Sequence, residues 1–570
     1  MKNKKIIFSS ITALMIGASG FSQLQPSFSL NGLGRSYIIN NTLTGDIMNN
    51  DTKTHDKGIG GYNLFDLQNN IGVDSIFQAS ATYRVRGEFG GFFGSNTSMT
   101  FRQFKLSGKI KNVKYEIGDI RVQMSPFTVY NYNDMYQPYE TEIFALRRSI
   151  SEYENLNKGN GWLLQGAQIQ DHFAFKNWGL GAYGFAARTS PTNEMNSSDR
   201  LLTGARLNAF FGNNLSVAAN YVGLNDIDVE STVYSYHNQV ETGEIKYSNK
   251  NLFINFEGGN SNTNNSHLVM GKADTSVKSN DYFADFTSQY KVENTGITLS
   301  INADYVGPYF SNPAAQTRRI IDGNTPSLFK MVHDATTART AILFDRLTSE
   351  QVYNARINSV LSPYLHEYNN ALPYGKATPN RTGASFIIAS DTSMKNIHFE
   401  VGVDYLSEIF GEGTTERRTF LVTKGAALLE LGKMMELKRK LNVSVNARME
   451  NTHRANDLSG GGSVQLSNLL VDAGISYEIV KKLDILTGVK LLNAKGNEFN
   501  AVRNVYNVIT NSTAVNINSN EMILSAGLQV RVSPKQAFTA QYNYVNYQNK
   551  IGANNSYLVS QLFISYTGKF

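Results

Sequence analysis

The stretch that decides the fold covers residues 77–89 and reads FQASATYRVRGEF. Its odd positions carry apolar or small side chains, from Phe77 through Val85 to Phe89, whereas its even positions carry Gln, Ser, Thr, Arg and Glu. Successive side chains on a β-strand point to opposite faces. The segment therefore predicts a strand with one apolar face and one polar, charged face.

The same alternation recurs along the chain, for example in residues 297–305, 397–405 and 441–449. Many runs come in pairs joined by short links of Gly, Asn, Pro or Lys, which indicate β-hairpins. The predicted hairpins are 201–211 with 215–223, 243–247 with 251–257, 282–291 with 296–305, 471–480 with 483–492, and 521–532 with 537–547. Polar stretches between the pairs predict loops at 40–75, 120–160, 224–240, 258–281, 306–382, 407–417, 450–462 and 493–520.

Two architectures accommodate such strands: a soluble sandwich that buries its apolar faces, or a membrane barrel that turns them to lipid. Runs of about 9–13 residues match the length that a tilted strand needs to cross a bilayer. Charged residues also recur on the opposite face, as expected of a wet lumen. We therefore predict an all-β fold, a closed antiparallel transmembrane β-barrel of roughly 16–20 strands with short periplasmic turns and long extracellular loops. Residues 98–110 change phase near Gln103 and Phe104, which predicts a β-bulge.

Both ends of the chain support export to an outer membrane. Residues 1–22 combine a Lys-rich start, an apolar run and a Gly-Phe-Ser ending, so they predict a cleaved signal peptide, with the barrel at 23–570. The final alternating run ends on Phe570, with Tyr566 on the same face. This ending resembles the terminal signal that outer-membrane insertion machinery recognises. Membrane lipid and that machinery are therefore the expected partners, with other envelope proteins as further candidates.

The predicted polar faces supply the candidate functional residues. Opposite charges across a pore would create a transverse field that screens solutes by size and charge. The alternative is that these charges pair across strands in a filled lumen. The candidate lumen or pore-lining residues are Arg84, Arg86, Glu88, Arg206, Asp304, Glu400, Asp404 and Arg448.

Two segments predict helices rather than strands. Residues 139–156 follow a Tyr-rich stretch and carry several charges, including Arg147 and Arg148. Residues 348–361 begin with Thr348 as a possible cap and Gln351 three residues later. Each could be an extracellular helical loop, or a segment that folds into the lumen as a constriction or plug.

Signals for covalent chemistry are weak. The chain of 570 residues contains no Cys, and its 8 His residues show no spacing typical of a metal site. His398, Glu400 and Asp404 share a polar face, but the pattern offers no nucleophile. We therefore predict no catalytic residue, no cofactor-binding residue and no metal site. The net charge of +6 is too small an excess to indicate nucleic-acid binding.

The chain resembles the outer-membrane β-barrels of Bacteroidota, including uncharacterised porin-like members. No plug domain or energy-coupling box typical of TonB-dependent receptors follows Gln23. The resemblance is carried by Gly20-Phe21-Ser22-Gln23, Gly118-Asp119-Ile120, Ser125-Pro126-Phe127, Arg147-Arg148, Tyr153-Glu154-Asn155, residues 161–166, and Tyr566 with Phe570.

The resemblance implies a porin, an uptake channel, or a barrel subunit of secretion or gliding machinery. Our first hypothesis is a porin-like channel for small hydrophilic solutes, without covalent chemistry. The alternative is a non-conducting structural barrel in an envelope complex, such as type IX secretion or gliding machinery. An outer-membrane enzyme is the third hypothesis.

Overall fold

The computed structural model describes residues 26–46, 58–73, 76–89, 97–129, 137–155, 164–189, 199–228, 234–269, 272–316, 327–330, 336–338, 341–348, 357–457, 462–552 and 556–570. In this part of the chain, 22 strands form one antiparallel sheet. The sheet is closed because β1 (Pro26–Thr44) pairs with β24 (Tyr557–Lys569), from Leu33 opposite Lys569 to Thr44 opposite Leu558. The architecture is that of an outer-membrane β-barrel, as predicted.

The remaining barrel strands follow in chain order. They are β2 (Ile59–Val73), β3 (Phe77–Glu88), β4 (Thr97–Ile110), β5 (Val113–Ile120), β6 (Leu164–Ala174), β7 (Trp178–Arg188), β8 (Asp199–Phe211), β9 (Leu215–Asp228), β10 (Tyr234–Ser248), β11 (Leu252–Val269), β12 (Lys272–Val292), β13 (Ile297–Val306), β16 (Arg381–Ser390), β17 (Ile397–Ser407), β18 (Thr419–Leu429), β19 (Leu441–Arg454), β20 (Val464–Val480), β21 (Leu483–Arg503), β22 (Ile509–Ser533) and β23 (Gln536–Asn549). A separate hairpin consists of β14 (Ser327–Lys330) and β15 (Thr336–Ala338).

The two rims of the barrel differ. Short turns, such as 481–482 and 534–535, lie at one rim, and both ends of the described chain lie there too. The other rim carries the long connections, above all 121–163 and 307–380. We call these the short-turn rim and the long-loop rim. All five predicted hairpins are confirmed, as β8–β9, β10–β11, β12–β13, β20–β21 and β22–β23.

The distribution of polarity is the reverse of that in a soluble domain. Outward aliphatic side chains are exposed, for example Leu207 at 65% and Val401 at 55%, whereas inward carboxylates such as Glu257 and Asp472 are almost completely buried. Exposed aliphatic side chains are favourable where the surroundings are acyl chains, and closure of the sheet leaves no edge strand with unpaired backbone groups. No helix in the described ranges is both long enough and apolar enough to cross a membrane.

The last residue is part of the seam that closes the barrel. The Phe570 amide donates to the Gly32 carbonyl at 3.1 Å, and the Gly32 amide donates to the Phe570 carbonyl at 3.0 Å. The Phe570 ring stacks on Phe65 at 5.4 Å between centroids. Tyr566 and Phe570 both lie on the outward face, although recognition by insertion machinery stays a prediction.

The helices are short. They are α1 (Glu142–Asn155), α2 (Leu343–Thr348) and α3 (Leu431–Met434), together with a 3₁₀ turn at Gly375–Ala377. Of the helix predicted at 348–361, Thr348 belongs to α2 and residues 357–361 are not helical, while residues 349–356 lie outside the described residues. The first turn of α2 is capped by Glu521 of β22, whose carboxylate accepts from the Leu343 and Phe344 amides at 2.8 and 2.9 Å. This long-range cap has no local sequence signal.

The strand number exceeds the predicted range. The predicted loop at 40–75 contains β2, where the inward residues Tyr62 and Leu64 are apolar because they pack beside Ile150 of α1. The predicted loops at 258–281 and 493–520 are mostly strand, because β11, β12, β21 and β22 continue as polar extensions. A strand that extends beyond the lipid no longer needs an apolar face, so its sequence loses the alternating pattern. The polar extensions were therefore predicted as loops. Residues 1–22 lie outside the described residues.

Candidate functional site: a lumen occupied by two inward segments

Two connections from the long-loop rim fold into the barrel. We call residues 121–155 the first lumen segment, described at 121–129 and 137–155, and residues 307–380 the second lumen segment, described in part. Helices α1 and α2 pack together against inward residues of β20 to β24, including Leu470, Leu486 and Ile523. For the helix predicted at 139–156, the contacts of α1 fit the alternative of a segment inside the lumen. For the one predicted at 348–361, both alternatives stay open.

The start of the first lumen segment's helix is held by buried ion pairs. Glu140 accepts from Arg148 at 2.7 Å and also forms an ion pair with Lys490 of β21. Thr141 donates to Asp472 of β20. Burial alone would raise the pKa of the Glu140 carboxyl, but Lys490 and Arg148 lower it to about 2. Glu140 is therefore ionised at neutral pH and ties α1 to the wall.

The middle of α1 rests on the seam strands. The Arg147 guanidinium lies 3.9 Å from the centroid of the Phe563 ring of β24, a cation–π contact. It also donates to Gln561 at 3.1 Å. Ile150 packs with Leu33 of β1 and Leu64 of β2. The helix is thus fixed along its length, and not only at its ends.

The end of α1 contacts arginines of β1, β3 and β4 and a tyrosine of β2. Glu154 forms an ion pair with Arg35 of β1 and accepts from the Tyr62 hydroxyl of β2 at 2.7 Å. The Tyr153 carbonyl accepts from Arg102, and the Glu154 carbonyl accepts from Arg84 at 3.0 Å.

The predicted bulge in β4 lies at Arg102. Thr82 lies opposite Gln103 while Tyr83 lies opposite Phe101, so Arg102 is the extra residue of β4. Arg102 is buried and donates to Asp66 at 2.5 Å. The phase change near Gln103 and Phe104 is confirmed as a bulge, because Phe101 before it and Phe104 after it are both exposed on the outward face.

Asn370 links the second lumen segment to the barrel wall. The side-chain Nδ2 of Asn370 donates to Glu498 at 2.6 Å and to Thr452 at 3.0 Å. The backbone N–H of Asn370 donates to Glu450 at 2.7 Å. These partners lie on β19 and β21. Asn370 is 1% exposed, so it adds buried hydrogen bonds to wall carboxylates that also pair with Arg418 and Arg448.

A row of carboxylates crosses four neighbouring strands at one height. Glu244 lies opposite Glu257, Glu257 opposite Asp285, and Asp285 opposite Asp304. Like charges directly opposite one another are unfavourable, so the row requires counter-charges. We call these four residues the acidic row.

Both lumen segments supply partners to the acidic row. Lys376 of the second segment lies 2.7 Å from Asp285 and 3.8 Å from Asp304. Ser125 of the first segment donates to Glu257 at 2.6 Å. The segments also bond to each other, because Asn312 donates to the Phe127 carbonyl at 2.6 Å. Parts of both lumen segments therefore contact the acidic row, whereas the end of α1 contacts arginines of the wall.

The eight predicted lumen residues all lie on inward faces, and each has an oppositely charged partner within 4.0 Å. Whether they contact a passing solute stays a prediction. The pairs are Arg84–Asp66, Arg86–Glu88, Arg206–Glu244, Asp304–Lys376, Glu400–Lys424, Asp404–Lys424 and Arg448–Glu450. In the described ranges, no group of three or more His, Asp and Glu is arranged to hold a metal ion.

Sequence reasoning missed several residues that close the lumen. Asp66 and Lys376 lie in stretches predicted as loops, and Arg102 lies at the bulge. No sequence pattern points to Asn370, because its role depends on three hydrogen-bond acceptors that are distant in sequence. A strong Arg and Glu content around the predicted helix was the one available signal.

No protein-family model matches the chain, and no curated protein matches it. Among solved structures, the unliganded ferric citrate transporter FecA is similar at 9% identity and a TM-score of 0.48, over 95% of this chain and 78% of that one. Pseudomonas aeruginosa OpdK with vanillate is similar at 9% identity and a TM-score of 0.34, over 95% and 99% of the two chains. OccK8 (OprE) of the same organism is similar at 9% and 0.36, over 95% and 98%. At these scores the likenesses carry no further conclusion.

Proposed function

We propose that the protein is an outer-membrane channel for small hydrophilic solutes, restricted by its two lumen segments and without covalent chemistry. The observation that supports this most is the inward face of the 22-strand wall, which carries many buried polar and charged side chains beside apolar patches that pack against the lumen segments. The lumen segments are joined to that wall largely through ion pairs and hydrogen bonds, such as those of Glu140 and Asn370. Water and polar solutes can replace such contacts, whereas they cannot replace a fully apolar core.

Uptake into liposomes tests this proposal. Proteoliposomes that contain the purified full chain are diluted into isotonic arabinose or, separately, into the larger stachyose, and swelling is followed by light scattering. We expect swelling in arabinose above that of empty liposomes and slower swelling in stachyose. Rates equal to those of empty liposomes for both sugars would reject a channel.

A second candidate is a non-conducting structural barrel within an envelope complex, such as secretion or gliding machinery. The observation that favours it is the apolar packing of α1 and α2 against β20 to β24, since a displacement of these helices would expose apolar side chains to water. Silent proteoliposomes together with a co-purifying envelope partner would support this candidate.

We infer that the chain reaches the outer membrane through cleavage after residue 22 and insertion by the outer-membrane assembly machinery. The exposed Tyr566 and Phe570 support this inference, since both are on the lipid-facing side of the last strand. N-terminal sequencing of the purified protein should begin at Gln23. A chain that retains Met1 would contradict cleavage.

A further inference from the structure

The wall beneath the end of α1 carries an unusual concentration of positive charge. The cluster consists of Arg35 on β1, Arg84 and Arg86 on β3, and Arg102 on β4, while β2 lies between β1 and β3. We call these four residues the arginine cluster. Three of them surround one ring, because Arg35, Arg84 and Arg102 lie 5.7, 5.8 and 4.3 Å from the centroid of Tyr153.

The wall itself neutralises only part of this cluster. Asp66 accepts from Arg84 through both oxygens, at 2.7 and 2.8 Å, and from Arg102 at 2.5 Å. Glu88 pairs with Arg86 at 2.9 Å. The four cations therefore face two wall carboxylates, and the remaining negative charge comes from the end of α1.

The end of α1 acts chemically as a carboxylate ligand. The Glu154 side chain, 9% exposed, binds Arg35 and the Tyr62 hydroxyl. The carbonyls of Tyr153 and Glu154 accept from Arg102 and Arg84, and a helix C-terminus carries partial negative charge. Removal of this helix end would leave guanidinium donors from three arginines free to bind another planar anion.

A cavity reaches the same place from the short-turn rim. It has a volume of about 580 Å³, and Arg35 and Tyr153 belong to its lining together with Glu152, Thr567 and Lys569. This volume is within the range of small-molecule sites. A solute in the cavity would therefore stand beside the contacts that hold the helix end.

We propose that the arginine cluster is a binding site for small solutes that carry a carboxylate, and that the end of α1 occupies it as an internal ligand which such a solute displaces. The proposal deepens the proposed channel function by naming its substrate class. It concerns binding, so it can be tested without measuring transport.

The test is calorimetric titration of the detergent-solubilised full chain with sodium benzoate, and with benzyl alcohol as the uncharged analogue. In Glu154→Gln the internal ligand loses its charge but keeps its shape. We expect its affinity for benzoate to rise about tenfold over the unaltered chain, equivalent to the loss of one competing charged contact. Benzyl alcohol should show no such gain.

Glu152→Gln is the matched control. It removes the same charge from the same helix, but the ion pair of Glu152 is with Arg148, at 3.2 Å, whereas that of Glu154 is with Arg35 of the arginine cluster. Its affinity for benzoate should stay close to that of the unaltered chain. Equal gains in the two variants would reduce the effect to net charge and overturn the proposal, as would equal gains for benzyl alcohol.

A second variant keeps the proposal testable if Glu154→Gln does not fold. Tyr62→Phe removes only the hydroxyl that donates to Glu154, and it should raise benzoate affinity by a smaller factor. Folding of each variant is checked by its heat-dependent mobility in SDS gels. If neither Glu154→Gln nor Tyr62→Phe binds benzoate more tightly, the proposed site is wrong, whatever the swelling assay shows about the channel.

Discussion

At the scale of single residues, the seam between β1 and β24 depends on the absence of a side chain at Gly32. A Cβ atom there would lie 2.2 Å from Cζ of Phe570 and 2.6 Å from the Asp66 carbonyl oxygen. We expect Gly32→Ala to destabilise the barrel by about 1–3 kcal/mol, since overpacking forces neighbours apart. The measurement is the temperature at which the folded band disappears in SDS gels.

Gly34→Ala is the control for this substitution. It lies on the same face of β1, but its nearest neighbour would be Cδ2 of Phe65 at 3.6 Å, an ordinary contact. Equal unfolding temperatures for the two variants would show that the Phe570 contact does not constrain the seam.

Glu140 gives the first lumen segment a defined pH dependence. Burial opposes ionisation, but Lys490 and Arg148 lower the pKa of Glu140 from 4.5 to about 2. A lowered pKa stabilises the folded state above pH 4.5, and this contribution of about 3 kcal/mol is lost as the pH falls towards 2. Hydrogen exchange of the α1 amides, corrected for intrinsic rates, should therefore stay slow from pH 7 to about pH 5 and accelerate below pH 4.5.

Two variants distinguish the effect of Glu140 from a general destabilisation of the protein at acidic pH. Glu140→Gln should expose the α1 amides already at pH 7, because it leaves Lys490 with one carboxylate partner fewer. Glu142→Gln removes an exposed charge that pairs with Lys440, and it should leave the pH profile unchanged. A pH profile of Glu140→Gln that matches the unaltered chain would contradict the role of Glu140.

At the scale of elements, Lys376 in the 3₁₀ turn joins the second lumen segment to the acidic row. Lys376→Met would leave Asp285 and Asp304 facing each other without their shared cation. We expect the second segment to loosen, so that planar bilayers show higher conductance and a reversal potential shifted towards cation selectivity. Lys376→Arg should retain the behaviour of the unaltered chain, and an unshifted reversal potential in Lys376→Met would refute the link.

The elements also show how far the sequence can predict this molecule. Alternation identified β8 to β13 and β20 to β24 because one face of each meets lipid and the other meets polar groups. It failed for β2, where Leu64 and Tyr62 are inward and apolar because a helix covers them. The acidic row could not be predicted either, because it depends on the strand register, which places Glu257 opposite both Glu244 and Asp285. Burial within a lumen and register across strands are properties of the assembled barrel, so local patterns do not contain them.

At the scale of the whole molecule, the two rims predict its orientation in the membrane. The chain has no native cysteine, so single cysteines can report each side. We expect Arg417→Cys, exposed at the long-loop rim, to react with a membrane-impermeant maleimide on intact cells. Lys535→Cys, exposed in a short turn, should react only after permeabilisation. The reverse labelling pattern would contradict the orientation.

The central feature at this scale is a 22-strand barrel whose own chain folds into the lumen. The most direct measurement is the conductance of planar bilayers containing the full chain, compared with a variant in which a short Gly-Ser linker replaces residues 137–155. The account predicts small or rare conductance steps for the full chain and ohmic steps several times larger for the variant, provided that both show the same heat-dependent gel shift. Equal conductance from the two proteins would contradict it.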